Sequence, residues 1–249
     1  MYFTRLPDHA APGFDEALHF SQFKKHNIIF NAVSGNSFCD DHVGCLSLKT
    51  VLSGEECYGI EGRQLTVKPG QVLILNNDQP YSCRISSLEK VHCVSVFFKK
   101  EFAAAVMFDA LNPEERLLEH PFPGKDVIPE FFQALNAMTP ELQDRLSALL
   151  GTLERVGYDA AMTDEHLIYL LHYLLRLHQR ETRELQLVSA LKSSTKKEIY
   201  RRLCIARDLL HASFTEALDL DSIGRQACLS VPQLVRQFRS AFHCTLINT

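Results

Sequence analysis

The chain has 249 residues, 46% hydrophobic and 22% charged, with a formal net charge of −4. That balance excludes disordered, collagen-like and long coiled-coil chains, and the length favours two domains over one. The charge is unevenly placed. Residues 192–249 carry nine Lys and Arg against five Asp and Glu, so this tail is +4 and the preceding 191 residues are −8. A basic tail on an acidic body suits a polyanionic partner at one end of the molecule.

Residues 1–12 lack the basic and apolar blocks of a secretory signal. No run of about 18 apolar residues occurs, so no membrane span is expected, and the expected setting is the cytoplasm. The eight cysteines show no C-x-x-C pair and no zinc-finger spacing. They read as buried small apolar residues, with redox sensing as the alternative.

From Asn27 to Phe98 the chain reads as short strands: Ile28 to Ala32, Cys45 to Leu52, Cys57 to Ile60, Gln64 to Val67, Val72 to Leu75 and His92 to Phe98. Turn signals separate them at Ser53-Gly54, Glu61-Gly62, Pro69-Gly70 and Asn76 to Pro80. This spacing predicts an antiparallel barrel or sandwich in meander order. Beyond Phe98 the apolar period lengthens to helical values. Thr139-Pro140 is a start signal for a helix over Leu142 to Val156 that Gly157 ends. A second helix is expected from Thr163. Its leucines cover more than one stripe, which calls for two neighbours, either the barrel and a second subunit or partners wholly within one chain.

Lys192-Ser193-Ser194 reads as a linker, with Thr195 and Glu198 at capping-box spacing as the start of a new domain. In that domain Asp219 is placed to cap a short helix with Leu220, Ile223, Gly224 and Ala227 on one side. Cys228-Leu229 make a tight turn, and Ser230-Val231-Pro232-Gln233 is a second capping box. The helix that follows buries Leu234, Phe238 and Phe242 and leaves Gln233, Val235, Arg236, Arg239 and Ser240 opposite. Two short helices joined by a tight turn, the second exposing Arg and Gln, have helix-turn-helix geometry. Such a helix can enter the major groove, where Arg236 pairs with a guanine edge, Val235 or Pro232 touches a thymine methyl, and Arg239 meets a phosphate.

The run Ile223 to Arg239 resembles the first helix-turn-helix signature of the AraC/XylS family of transcriptional regulators: an apolar-Ala pair, then Leu229-Ser230, then Leu234, Arg236 and Phe238-Arg239. Tyr200 to Leu210 resembles that family's first helix, and the Gly and Pro-Gly turns from Ser53 to Pro80 resemble its cupin-like sensory domain. Four departures stand out. Gly224 replaces the family's usual Ala, Cys228 and His243 occupy positions where Gly is common, and the chain stops at Thr249, before a second helix-turn-helix.

The resemblance implies an α+β fold class: an N-terminal cupin-like antiparallel β-barrel or jelly roll, then α-helices and an all-α helix-turn-helix domain. The expected divisions are a sensor over 1–105, a helical dimerisation and linker segment over 106–194, and a partial DNA-binding domain over 195–249. It also implies a homodimer whose partner is double-stranded DNA, contacted through Ser230, Pro232, Gln233, Val235, Arg236 and Arg239, with a small-molecule effector in the barrel. Alternation offers Leu46, Leu48, Tyr58, Leu73, Leu75, Cys93 and Val96 as inward positions, with His42, Tyr58 and Arg84 as the ligand-binding candidates. No cofactor, metal or catalytic residue is expected. His42 and His92 form no H-x-H pair for a metal cupin, and G-x-S-x-G, P-loop and G-x-G-x-x-G patterns are missing from the sequence. The competing reading is a non-catalytic jelly roll that binds a small molecule or partner and whose C-terminal helices only pack. Exposure of Arg236 and Arg239 separates the two.

Overall fold

The computed structural model describes residues 1–119, 128–212 and 219–246. It opens with β1 (Tyr2–Phe3), α1 (Glu16–Lys25), β2 (Ile28–Val43), β3 (Ser47–Ser53), β4 (Glu56–Ile60), β5 (Arg63–Val67), β6 (Gln71–Leu75) and β7 (Pro80–Phe97). There follow α2 (Lys100–Leu111), α3 (Glu114–Glu119), β8 (Leu135–Ala137), α4 (Pro140–Val156), α5 (Ala160–Leu187), α6 (Ser193–Ala212), α7 (Leu220–Gln226) and α8 (Val231–Phe242). The chain divides into two compact units, 1–175 and 176–249.

The first unit is built on one eight-stranded sheet in the order β1-β2-β7-β3-β6-β8, with β4 bridging β7 and β5. This is neither the expected meander nor a ring of strands closed by hydrogen bonds. Only β1–β2 and β4–β5 join neighbours in the chain. The reason lies in β2 and β7, which run antiparallel along nearly their whole lengths, from Ile28↔Phe97 to Val43↔Pro80. Two register shifts, between Ser34 and Asn36 and between Cys39 and His42, bend the pair. The far half of β7 then ladders with β3 while its near half ladders with β4. The apolar side chains enclosed include Val51, Tyr58, Ile60, Leu73, Tyr81, Ile85, Val91 and Cys93.

Local signals set the turns. Ile60 pairs with Arg63 across Glu61-Gly62, both at positive φ (49° and 76°), the two-residue turn whose twist matches a hairpin. Pro69-Gly70 closes the next turn with Gln71 N–H donating to the Lys68 carbonyl at 3.0 Å. α4 follows its sequence signals closely. The Thr139 hydroxyl accepts from Leu142 N–H at 3.2 Å, Gly157 caps the end at φ 82°, and Leu142, Leu146, Leu149, Leu150 and Leu153 form the buried stripe. α5 starts three residues ahead of Thr163 and buries Leu167, Leu170, Leu171 and Leu174 completely. The buried Asn27 ties this helix to the strands: its amide donates to Asp164 at 2.9 Å, and its side-chain oxygen accepts from Lys99 N–H at 2.8 Å.

In the second unit α6 begins at Ser193, within the expected linker, with Lys196 N–H donating to the Lys192 carbonyl. Thr195 and Glu198 therefore form no capping box. The Glu198 carboxylate is held instead by Arg202 (2.7 Å) and Arg201 (3.4 Å). Gln237 is buried, yet satisfied by both backbone groups of Ser189, each at 3.0 Å. That pair of hydrogen bonds pins α8 to the turn after α5. Tyr200 donates from its hydroxyl to Glu184 at 2.5 Å.

Candidate functional site

α7 and α8 are joined by a turn whose geometry is locally determined. Asp219 caps α7 by accepting from Asp221 N–H at 3.2 Å, and Ile223, Gly224 and Ala227 are buried. A Cβ on Gly224 would lie 2.8 Å from the Leu229 carbonyl oxygen, so the turn folds back too closely for alanine. Cys228 sits in the left-handed region at φ 53°, and His243 ends α8 at φ 56°. Both positions thus have the backbone that favours Gly, and His is among the side chains that tolerate it. Ser230 is the N-cap of α8, but its side chain makes no capping hydrogen bond, so the expected second capping box is not formed.

α8 is sharply two-faced. Leu234, Gln237, Phe238 and Ala241 are buried, whereas Pro232, Val235, Arg236 and Arg239 are exposed at helical spacing, with Val235 at 43%. Ser230 is also exposed, and Gln233 and Ser240 are half-buried. Of the six residues expected at a nucleic-acid contact, Gln233 lies beside α6 with Thr195, Glu198 and Arg202, and Pro232, Val235, Arg236 and Arg239 share one accessible surface. A shallow groove runs along it between Leu187 and Arg239. Two of the tail's exposed arginines, Arg236 and Arg239, lie on this surface. Arg201 and Arg202 are engaged by Glu198, with Arg202 also donating to the Cys228 carbonyl at 2.9 Å, while Arg207 lies over the Phe242 ring at 5.1 Å. Arg225, Arg236 and Arg239 are exposed and form no ion pair among the described residues.

The first unit holds an interior cavity of about 60 Å³ lined by residues of α1, β2, β3, β4 and β7. His42 and Tyr58, two of the three ligand candidates, line it; Arg84 does not. Arg84 is exposed, opposite Phe38 and Cys57 on the outer face of β7, while its neighbour Cys83 points inward. Of the expected inward positions, Tyr58, Leu73, Leu75 and Cys93 belong to the enclosed core. Leu46, Leu48 and Val96 are buried but lie outside that cluster, of opposite parity to Lys49, Ser95 and Phe97, which line the cavity. The parity could not be read because β3 is buried on both faces from Ser47 to Val51.

The most unusual group is one the sequence reading passed over. Lys49 is only 3% exposed, and its ammonium lies 3.3 Å from the centre of the Phe97 ring and 5.5 Å from that of Tyr81. Burial lowers its pKa from 10.5 to about 8. Glu56 is buried across the cavity, its Oε2 without a partner, and burial raises its carboxyl above the usual range. A charged residue inside the apolar run Cys45 to Leu52 was the available signal. His42 stacks on Phe20 at 4.0 Å, and its Nε2 has no partner. Burial first, then Lys49, His19 and His9, lower its pKa from 6.5 to about 4.

The sign of the His42 effect is destabilising in acid. Between pH 6.5 and about 4 the unfolded chain binds a proton that the folded chain refuses, so folding stability falls as pH drops through that window and is untouched above it. The Met1 amino group, lowered from 8.0 to about 6, acts at higher pH. His42→Phe is expected to flatten the unfolding profile below pH 6.5 while leaving the Met1 contribution in place, as denaturant titrations at stepped pH would read. A profile as steep as that of the parent would refute the assignment.

Among the described residues no group of three or more His, Cys, Asp or Glu is arranged to hold a metal ion, and no helix is long and apolar enough to cross a membrane. No family model and no curated protein matches the sequence. Several solved structures are similar to the chain. They include an apo variant of ToxT from Vibrio cholerae (11% identity, covering 87% of this chain and 94% of that one, TM-score 0.39). The AraC-like transcriptional activator CuxR is similar at 16% identity over 80% of this chain and 61% of that one, TM-score 0.31. A cupin_2 domain of an XRE family regulator from Enterobacter cloacae reaches 31% identity over 26% of this chain and 67% of that one, TM-score 0.22.

Proposed function

We propose that the chain is a sequence-specific, DNA-binding transcription regulator of AraC type. The observation that carries this reading is the uncovered row Pro232, Val235, Arg236 and Arg239 on α8, beside a turn whose backbone places it outward. Packing of that row would have favoured the competing binding-protein reading. In this reading α7 and α8 are a helix-turn-helix with α8 in the major groove, Arg236 at a base edge and Arg239 at a phosphate. Residues 1–105 act as a jelly-roll sensor, 106–194 as the dimerisation and linking segment, and 195–249 as the DNA-binding part of a cytoplasmic homodimer. An effector bound among His42, Tyr58 and Lys49 would have to be small, since about 60 Å³ falls well below the roughly 300 Å³ or more of ordinary ligand pockets.

The test is selection from random DNA duplexes at two salt concentrations. One sequence should be enriched by the unaltered protein. Arg236→Ala should weaken binding to it by about 1–3 kcal/mol and relax the preference at one base pair. Arg239→Ala should weaken all duplexes alike and reduce the salt slope by about one. No enrichment, or full enrichment by Arg236→Ala, would overturn the proposal.

A further inference from the structure

The cavity of the first unit contains a feature that regulation through DNA does not use. Cys39 and Cys83 are direct cross-strand partners in the β2–β7 ladder, and both side chains line the cavity. Directly opposed residues of an antiparallel pair have Cα atoms about 4.5–5.5 Å apart, inside the range that a disulfide bridges. Both are free thiols in this structure. The same cavity holds the Lys49 ammonium, almost fully buried, whose field reaches the Cys83 sulfur as well as the Glu56 carboxyl. A buried cation favours an anion beside it, and the cavity is too small for most organic ligands.

We propose that Cys39 and Cys83 form a reversible dithiol site oxidised by a small hydroperoxide, with Lys49 stabilising the attacking thiolate. Cys39 is the attacking sulfur. The neighbouring Cys83 thiol, together with Lys49, holds Cys39 below the ordinary thiol value against burial and the charges of Glu16 and Asp40. Cys83 is pushed well above that value by Cys39, burial and Glu56, so it keeps its proton and resolves. The Cys39 thiolate attacks the terminal peroxide oxygen, and the O–O bond breaks. The alcohol or water leaves with a proton, and Cys39 becomes a sulfenic acid. The Cys83 sulfur then displaces hydroxide from Cys39, the S–O bond breaks, and the Cys83 proton departs with the hydroxide as water. Two thiols lose two electrons and two protons, and the hydroperoxide is reduced to an alcohol and water. Cys83 is only half-buried, which leaves the pair a path to solution. The bridge would lock β2 to β7 beside the register shift between Cys39 and His42.

This inference is independent of DNA binding, and its test makes no use of it. The whole chain, reduced and freed of reductant, is treated with hydrogen peroxide, and remaining thiols are alkylated and mapped by mass spectrometry. The expected product is a peptide pair linked through Cys39 and Cys83 that has lost two hydrogens and is restored by dithiothreitol. In Cys83→Ser, a sulfenic acid on Cys39 should be trapped by dimedone. In Lys49→Met, shown to be folded by its unfolding transition, the rate should fall about tenfold. Alkylation of both Cys39 and Cys83 after the exposed Cys57 and Cys228 have been oxidised would overturn the proposal, as would an unchanged rate in Lys49→Met.

Discussion

Phe238→Ala is expected to unfold the second unit at temperatures where the parent is stable. Phe238 is fully buried, with the Phe242 ring packed edge-on at 4.8 Å. Removing such a ring destabilises by about 3–5 kcal/mol, toward the upper end where surrounding structure cannot collapse into the void. Collapse is resisted here because α8 is fixed by the paired hydrogen bonds of Gln237 to Ser189, in the position next to the deleted ring. Against a total stability of about 5–15 kcal/mol for a typical domain, such a loss is decisive. Hydrogen exchange should then report lost protection through α6, α7 and α8 with the strands of the first unit still protected. Retained protection across α8 would show that Phe238 is not the keystone of this packing.

Lys49→Met should act in the opposite direction and stabilise the first unit at neutral pH. A lysine whose pKa falls from 10.5 to about 8 opposes folding at pH 7 by about 3 kcal/mol. The substitution also removes the contact with the Phe97 ring, worth about 1–2 kcal/mol when desolvated. A net gain of about 1–2 kcal/mol remains, because methionine fills similar space without a charge. The pH dependence gives a separate check. Between pH 8 and 10.5 the unfolded parent binds more protons at this position than the folded one, so its stability rises with pH there, and the variant lacks that rise. Cys45, raised from 9.0 to about 11, and Cys93, raised from 9.0 to about 12, lower stability above pH 9 in both proteins. Lys49 itself lowers both thiols, so the rise that the variant lacks is read between pH 8 and 9, below their titration. A destabilised variant would mean that the ammonium is compensated by more than the Phe97 face.

How readily each element could be anticipated followed the range of the interactions that form it. The hairpin at Glu61-Gly62, the caps at Thr139, Gly157 and Asp219, and the turn at Cys228 each depend on residues within a few positions of one another. α1 was legible by the same means, though the strand reading began beyond it: Asp15 caps it, Glu16 opens it and Lys24-Lys25 close it, the charge order a helix dipole favours. One failure came where one local interaction outcompeted another. Thr195 and Glu198 have capping-box spacing, but Glu198 meets two guanidinium groups and the helix starts earlier. Arg84 was named as a ligand candidate without a strand around it, because the first half of β7 was not read as a strand and its alternation was therefore not used.

The sequence by itself determined where α7 and α8 begin, which face of α8 is apolar, and that Arg236 and Arg239 share the other face, because a period near four and short-range start signals are properties of contiguous residues. Only the tertiary structure decided that β2 and β7 bend together, that Arg202 reaches the Cys228 carbonyl and Arg207 the Phe242 ring while Arg236 and Arg239 stay exposed, and that Lys49, Glu56, Cys39 and Cys83 meet around one small cavity. Those residues come from four strands and as far apart as 44 positions in the chain. Their meeting is set by strand register and by burial on both faces of β3, neither of which leaves a periodic trace in the sequence.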